Sequence, residues 1–306
     1  MTAESKIDPE LEAVAEALRA IDPNGLRTAR VLRNTFDQLY DGQRTGRYRW
    51  DQLFKTEKTH CGTLVEINLQ REFRFEDGVA MDFRIAGTEV DCKYSQSLSG
   101  WMIPPEASGH LCMLLWAEDT ATPSWSLGLV RITPERLNAG SNRDGKKTLN
   151  EAGRASIKWL WDRVSLPANV LLQMDREVVD RIMLLSSRSG AKGVNELFRS
   201  AQGRIVGRAV VATVAQQDDY MKRLRANGGA RSALKPEGII LIGHYRKHAS
   251  IAEAFGLPVP ILGETISVRV APSEPAALGA VEIEAGFWRL ANLSDPAIPA
   301  PELPKI

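Results

Sequence analysis

Apolar and charged residues alternate along Ala80–Tyr94, and this period of two predicts two short strands around a turn at Ala86-Gly87. Phe83 lies on the apolar face of the first strand, while Val90 and Cys92 lie on that of the second. Side chains two apart on a strand share a face, so the charged residues between them point the other way. We therefore expect a hairpin with one buried face and Cys92 in the core.

The length of the turn decides which residues face each other across the hairpin. A two- or four-residue loop sets Phe83 opposite Val90, and it then sets Asp82 opposite Asp91. A three-residue loop would mix apolar and charged residues on both faces, so burial of one face selects the first register. Lys93 shares the face of Asp91. The hairpin thus brings two carboxylates and one ammonium group together.

Carboxylates directly opposite each other destabilise a sheet unless a cation lies between them. Mg²⁺ prefers carboxylate oxygen, so Asp82 and Asp91 are candidates for the metal site of a hydrolase. Asp-x-Lys is a common string, however, and taken alone it favours an exposed hairpin with charges on its solvated face. These residues by themselves leave both interpretations open.

Glu66 lies among apolar positions of a predicted helix, His60–Phe73. A carboxylate bordered by apolar side chains needs a partner, a proton or a metal. A salt bridge to Arg71 or Lys58 is one explanation, and a place in the metal site is the other.

The remaining pattern of the first half predicts helices, a buried strand and a mixed sheet. The predicted helices are Pro9–Ala20, Leu26–Leu39 and Thr148–Trp161, and the predicted strands are Leu111–Trp116, which is continuously apolar and therefore central, and Trp125–Ile132. This order is typical of an α/β or α+β core.

The second half differs in pattern and predicts helices followed by strands, the order of a winged helix-turn-helix. The predicted helices are Asp175–Leu185, Val194–Ser200 and Gly207–Ala226, and the predicted strands are Gly238–Ile242, Thr265–Val270 and Ala280–Glu284. We expect one domain at residues 1–162, a linker at 163–170 and a second domain at 171–306. The Pro-rich tail Pro296–Pro304 is expected to be extended.

The length of 306 residues fits two domains, and the hydrophobic fraction of 43% with 25% charged residues is typical of soluble globular proteins. Three cysteines without a C-x-x-C pair favour a reducing, cytoplasmic location. Neither a secretory signal nor a membrane-spanning run is recognised, so no membrane partner is expected. Neither His60 with Cys61 nor His110 with Cys112 provides a four-ligand zinc set.

Positive charge is concentrated in residues 188–247, where twelve basic residues face four acidic ones, an excess of eight within a chain of net charge +1. Such grouping is typical of a partner with a phosphate backbone, although a solvated basic face is the ordinary alternative. The candidate DNA contacts are Lys222, Arg223, Arg225 and Arg231 here, and Ser95, Gln96 and Ser97 in the polar loop that follows Lys93.

Several long strings resemble the NaeI restriction endonucleases, and the likeness extends from about Asp8 to the strands beyond Pro258. They are Phe36–Gly46, Lys55–His60, Gly62–Leu69, Ala212–Asp219, Gly228–Ser232 and Pro236–Ile240. The resemblance implies an N-terminal PD-(D/E)xK nuclease core and a C-terminal, winged-helix-like α+β DNA-binding domain. It also implies a homodimeric type II (IIE) enzyme that reads GCCGGC, cuts one copy of this site and is activated by a second.

The resemblance places the family's metal and catalytic positions on Glu66, Asp82, Asp91 and Lys93. Asp82, Asp91 and a backbone carbonyl near Cys92 would then hold Mg²⁺, while Glu66 binds or orients a metal-bound water. Lys93 would orient the attacking water and stabilise charge on the phosphate. Cys61 and Cys92 are assigned a packing role.

The string Leu39-Tyr-Asp-Gly42 resembles the Lys-x-Asp-Gly motif of nucleotidyl-transferring ligases, a motif in which the family also carries leucine. Without the lysine no covalent adenylate can form, and Leu39 is explained equally well as part of a helical stripe. Two other functions remain open: a non-catalytic winged-helix regulator, and a structure-specific repair nuclease.

Overall fold

A computed structural model describes residues 7–304. The chain divides into two compact units: Met1–Leu39 with Leu53–Ala168, and Tyr40–Gln52 with Asn169–Ile306. The short segment Tyr40–Gln52 therefore belongs with the second half of the chain. The domain boundaries expected from the sequence place it in the first domain, 1–162.

The α-helices and strands are numbered along the chain. The helices are α1 Pro9–Ile21, α2 Leu26–Tyr40, α3 Gly42–Thr45, α4 Lys55–Phe73, α5 Glu151–Ala155, α6 Arg176–Arg188, α7 Gly190–Ser200, α8 Arg208–Ala215, α9 Ala230–Leu234 and α10 Arg246–Ala254. The strands are β1 Glu76–Asp77, β2 Phe83–Ile85, β3 Thr88–Ser95, β4 Leu111–Glu118, β5 Ser124–Arg131, β6 Lys158–Ser165, β7 Ile205–Gly207, β8 Ile239–Gly243, β9 Glu264–Pro272, β10 Val281–Ile283 and β11 Gly286–Leu290. Within residues 7–304 no helix is both long and apolar enough to span a membrane.

The first unit contains a six-stranded sheet in the order β1 to β6. The pair β3 and β4 is parallel and the other pairs are antiparallel, which confirms the predicted mixed sheet. Strand β4 is buried over almost its whole length, as its continuous apolar run predicts. Helix α4 contacts β3 and brings the side chains of the helix beside the hairpin.

The hairpin has the predicted register, with Phe83 paired to Val90 across a two-residue turn. Both turn residues have positive φ, 49° at Ala86 and 79° at Gly87, as a tight hairpin turn of this hand requires. Helix α4 begins at Lys55, five residues before the predicted start, because Glu57 Oε2 accepts a hydrogen bond from the amide of Phe54.

The predicted helix Thr148–Trp161 is wrong. Only the five residues of α5 are helical, and the chain then enters the edge strand β6, where Trp161 packs against Trp125 with ring centroids 5.8 Å apart. The edge strand is only half-buried, so its period of two is weakly marked in the sequence. The predicted linker 163–170 accordingly begins inside β6.

The second unit contains a five-stranded sheet in which β10, β11, β9 and β7 pair in that order, with β8 also pairing to β9. All of these pairs are antiparallel. Helices α6 and α7 match the prediction, but the predicted helix Gly207–Ala226 is broken after α8. Gln216 ends α8 with a φ of 48°, and a 3₁₀ turn follows at Tyr220–Leu224.

Segment Tyr40–Gln52 is fixed within the second unit by a close approach of backbone to α8. A Cβ added to Gly42 would lie 2.0 Å from Thr213 Oγ1, so only glycine fits at this position. Leu39 is buried near the end of α2, which supports its explanation as part of the helical stripe. The tail Pro296–Pro304, for which an extended chain is expected, contains neither helix nor strand.

Candidate active site

Lys93 is the centre of the candidate site. Its Nζ donates to Asp91 Oδ1 at 2.6 Å and to the carbonyl oxygen of Cys92 at 2.9 Å, and it lies 3.5 Å from Asp82 Oδ2. Asp91 and Lys93 alternate on β3, which puts both side chains on one face of the strand. Three oxygens from two segments therefore converge on a single ammonium group.

Asp82 reaches this point from the residue before β2. Its Oδ2 accepts a hydrogen bond of 2.7 Å from the amide of Cys92, which fixes the carboxylate against the strand that carries Asp91 and Lys93. The predicted encounter of two carboxylates across the hairpin is thus present, and Lys93 lies between them. This ion pair removes the repulsion expected of opposed carboxylates.

Burial and the neighbouring charges shift the pKa values of Asp91 and Lys93 in opposite directions. Burial raises the pKa of Asp91, an effect that the Lys93 ammonium counteracts. For Lys93, burial acts to lower the pKa, but the charges of Asp91 and Asp82 outweigh it and the pKa is raised. With these carboxylates as partners, Lys93 is protonated at neutral pH and serves as a positive charge and hydrogen-bond donor.

Glu66 projects from α4 and is linked to the same site by electrostatics. Its pKa is raised first by burial and then by the charge of Asp82, with Lys93 acting in the opposite direction. Within residues 7–304 Glu66 makes no salt bridge to Arg71 or Lys58, the partners expected of a purely structural carboxylate. Its surroundings therefore favour the site over the salt bridge.

The oxygens around Lys93 have the chemistry of a divalent-cation site. Asp82 Oδ2, Asp91 Oδ1 and the Cys92 carbonyl are hard oxygen donors, and two of them are anionic. In the described part of the chain, however, no three His, Cys, Asp or Glu side chains stand together in a metal-binding arrangement. These oxygens are of the type that Mg²⁺ prefers as ligands. In this structure the Lys93 ammonium lies at the point where they converge.

Two further residues hold the site in place and escaped the sequence analysis. Cys112 on β4 pairs with Asp91 across the parallel strands, and its Sγ donates to Asp91 Oδ2 at 3.2 Å. Glu89 on β3 accepts hydrogen bonds from three successive amides, those of Val79, Ala80 and Met81, which lowers its pKa to about 2. The chain that leads into Asp82 is thereby fixed to β3.

The loop after Lys93 is anchored by its own hydrogen bonds. Ser95 Oγ donates to Ser97 O and accepts from the amide of Ser97. Gln96 accepts from the Tyr94 hydroxyl through its side chain, and from the Trp116 indole through its carbonyl. The loop is therefore held by its own hydrogen bonds next to the site, and the hydroxyl of Ser95 is already engaged.

The four basic candidates in the second unit have different surroundings. Lys222 forms an ion pair with Asp219, and Arg223 donates to Gln217 Oε1. Arg231 is half-buried and its Nε donates to Leu241 O, while desolvation lowers its pKa. Arg225 is exposed, and its side chain has no hydrogen bond or ion pair among residues 7–304.

Arg225 and Arg231 also line one cavity of about 400 Å³ within the second unit. Arg208 and His244 contribute to the same wall, and Glu264 is the only carboxylate among the lining residues described. The structure thus brings two of the four basic candidates together and adds Arg208 to them. The chemistry of the cavity suits an anionic group.

Comparison with known proteins gives a consistent match along the chain. The family described as restriction endonuclease NaeI matches residues 12–299. The chain is also 51% identical over 304 residues to the type II restriction enzyme NaeI of Lentzea aerocolonigenes, a match that covers 97% of this chain and 95% of that enzyme.

Proposed function

The chain belongs to the NaeI family of restriction endonucleases, and on this premise we propose that it is a Mg²⁺-dependent type IIE enzyme that cuts DNA at GCCGGC. As a type II restriction enzyme it is a site-specific deoxyribonuclease, and its substrate is double-stranded DNA. A cytoplasmic location, a homodimer and a PD-(D/E)xK core are parts of the same proposal.

The convergence of three oxygens on Lys93 carries the catalytic part of this proposal. The donors come from Asp82, Asp91 and the Cys92 carbonyl, a set suited to a hard cation. Bound there, Mg²⁺ would polarise the scissile phosphate and lower the pKa of the attacking water. Glu66 is the additional carboxylate of the site, where it orients water or completes the ligand set.

Lys93 acts in this proposal through its position and charge. Its pKa is raised, so it donates hydrogen bonds and stabilises the negative charge that develops on the phosphate. Asp82 and Asp91 hold the ammonium in place before DNA binds. The same oxygens would hold the cation, so Lys93 Nζ would then donate to the substrate in their place.

The second unit is proposed to bind a further copy of the recognition site through a winged-helix-like motif. The support is its excess of basic residues and the cavity lined by Arg208, Arg225 and Arg231. Phosphate contacts from such residues provide affinity, whereas base contacts provide sequence recognition.

Incubation of the purified chain with a plasmid of known sequence, with and without Mg²⁺, tests the proposal. We expect Mg²⁺-dependent fragments whose sequenced ends all lie at GCCGGC. A non-catalytic regulator would leave the plasmid intact, and a repair nuclease would nick according to DNA structure. Either result would refute the proposal.

Stimulation by a second site requires a separate measurement. A cleavage-resistant duplex that contains GCCGGC should accelerate cutting of a poorly cleaved plasmid site, whereas a scrambled duplex of equal length should not. Equal rates at every concentration of the two duplexes would contradict activation by the second unit.

A further inference from the structure

Asp91 is held from both sides, one carboxylate oxygen by a lysine and the other by a cysteine. Oδ1 accepts from Lys93 Nζ at 2.6 Å, and Oδ2 accepts from Cys112 Sγ at 3.2 Å. Asp91 and Cys112 face each other across the parallel pair of β3 and β4, and both are buried. Among residues 7–304 no other donor reaches Oδ2.

We propose that Cys112 is a positioning residue for the metal site, an assignment that rests on the proposed function. Its thiol binds Asp91 Oδ2 and so fixes the plane of the carboxylate, which directs Oδ1 towards the point where the oxygens of Asp82 and Cys92 also meet. Cys112 itself touches neither the cation nor the DNA.

The physical reason lies in the freedom of an aspartate side chain. The terminal torsion of aspartate is broad, so a carboxylate bonded through one oxygen can rotate. A buried oxygen that loses its only donor is also left unsatisfied, and it then draws water or another donor towards it. A thiol is a weak donor, but here it supplies the missing bond inside a closely packed strand pair.

The other two cysteines have different surroundings, which makes the role specific to Cys112. Cys61 is fully buried on α4, where the Tyr94 side chain is its hydrogen-bonding partner. The side chain of Cys92 lies in the core, and the residue contributes its backbone carbonyl to the site. Residues that orient a metal ligand typically change metal affinity or activity by about 10- to 100-fold when replaced.

Two substitutions of Cys112 separate hydrogen bonding from packing. Cys112→Val keeps an apolar side chain, larger by about one methyl group, but removes the donor, whereas Cys112→Ser keeps a donor on a slightly shorter arm. We expect Cys112→Val to weaken binding of Mn²⁺, measured by calorimetry on the protein bound to its duplex, by on the order of tenfold. Single-turnover cleavage should fall by a similar factor, and Cys112→Ser should retain most of both.

Cys61→Val is the matched control because it replaces another fully buried thiol in the same unit. Thermal melting places the variants on one scale of stability, and metal-free anisotropy measures their affinity for the duplex. At a comparable loss of melting temperature, Cys61→Val should keep its Mn²⁺ affinity while Cys112→Val loses it. Equal Mn²⁺ affinity in these two variants would overturn the proposal.

The hydrogen bond itself can be observed without metal or activity. The S–H stretching band that disappears in Cys112→Ser belongs to Cys112, and it should shift to higher frequency in Asp91→Asn because the neutral amide is a weaker acceptor. An unshifted band would overturn the inference even in an active enzyme. If the wild-type chain does not cut DNA, the proposed function fails, while this band and the Mn²⁺ titration still decide the role of Cys112.

Discussion

The two units of this chain use charged residues in opposite ways. In the first, Asp82, Asp91 and Lys93 are brought within hydrogen-bonding distance in a largely buried cluster. In the second, basic residues such as Lys222 and Arg225 are exposed and distributed along the chain. Bond cleavage needs groups at fixed distances, whereas attraction of a polyanion needs only a field of the right sign.

A similar contrast separates two ion pairs, one in each unit. Arg33 binds Asp119 through two bonds of 2.6 and 2.9 Å, and both residues are buried in the first unit. Arg199 binds Glu237 in the second unit, where about 40% of each side chain remains exposed. Solvent and salt screen the exposed pair far more strongly. Loss of Asp119 should therefore cost more stability than loss of Glu237, and the Arg199–Glu237 pair should respond more strongly to ionic strength.

The largest difference is expected between Lys93→Ala and Arg225→Ala. The first should abolish detectable cleavage, a loss of at least about 10³-fold, because it removes the donor that stabilises charge on the phosphate. Arg225→Ala should leave the rate of the chemical step nearly unchanged. Single-turnover cleavage under saturating enzyme measures both.

Binding of the duplex in Ca²⁺, followed by gel shift, serves as the control for Lys93→Ala. Binding close to that of the wild type would show that the loss is catalytic, and Asp91→Ala should behave in the same way. Substantial cleavage by purified Lys93→Ala would remove Lys93 from the catalytic role.

The second expected difference is in stability. Asp119→Ala leaves the buried guanidinium of Arg33 without its bidentate partner, although Asp37 still pairs with it at 2.9 Å. Breaking a buried pair typically costs about 3–5 kcal/mol of unfolding free energy, and the remaining carboxylate places the expected loss at the lower end, about 3 kcal/mol. Glu237→Ala removes an exposed pair, for which about 0–1 kcal/mol is typical. Urea unfolding monitored separately for each unit measures both changes. Similar losses in the two variants would contradict the contrast between buried and screened pairs.

The sequence was sufficient where structure is determined locally. The alternation around Ala86-Gly87 predicts the register of the hairpin, because a two-residue turn links neighbouring strands directly. The pairing of β3 with β4 depends on a connection of fifteen residues, 96–110, and no local pattern specifies its register. For this reason Asp82, Asp91 and Lys93 could be identified as neighbours, while Cys112 could not.

Two other features depend on contacts that are distant in sequence. Segment Tyr40–Gln52 lies between helices of the first unit but belongs to the second, because Gly42 fits closely against Thr213. The capping of three amides by Glu89 requires the chain before Asp82 to bend back, and the sequence of residues 76–81 shows no pattern that predicts this bend. Periodicity reports burial of a face and carries no information about either contact.

A smaller effect is expected for the basic residues of the second unit. Arg225→Ala should weaken binding of a second duplex only a few-fold, and it should reduce the slope of log K against log salt by about 1, the value for one lost phosphate contact. Anisotropy titrations from low to high salt give this slope. The matched control is Arg176→Ala, an exposed arginine of the same unit that lies outside the cavity, for which the slope should stay unchanged.

The smallest effect, present at neutral pH and lost in acid, concerns two carboxylates that have similar pKa values in different units. Three backbone amides lower the pKa of Glu89 to about 2, and Arg289 with the amide of Asn292 lowers that of Asp295 to about 2. A carboxyl group whose pKa is lowered by folding stabilises the fold at pH values above its ordinary pKa. For Glu89 this contribution is lost as the pH falls from about 4.5 towards 2. Glu89→Gln and Asp295→Asn should thus each reduce stability at neutral pH, and the stability of both variants should converge with that of the wild type near pH 2.

Only Glu89→Gln should also slow cleavage at neutral pH, because Glu89 holds the chain that positions Asp82. Equal cleavage rates in both variants would show that this clamp contributes to the fold without positioning the site.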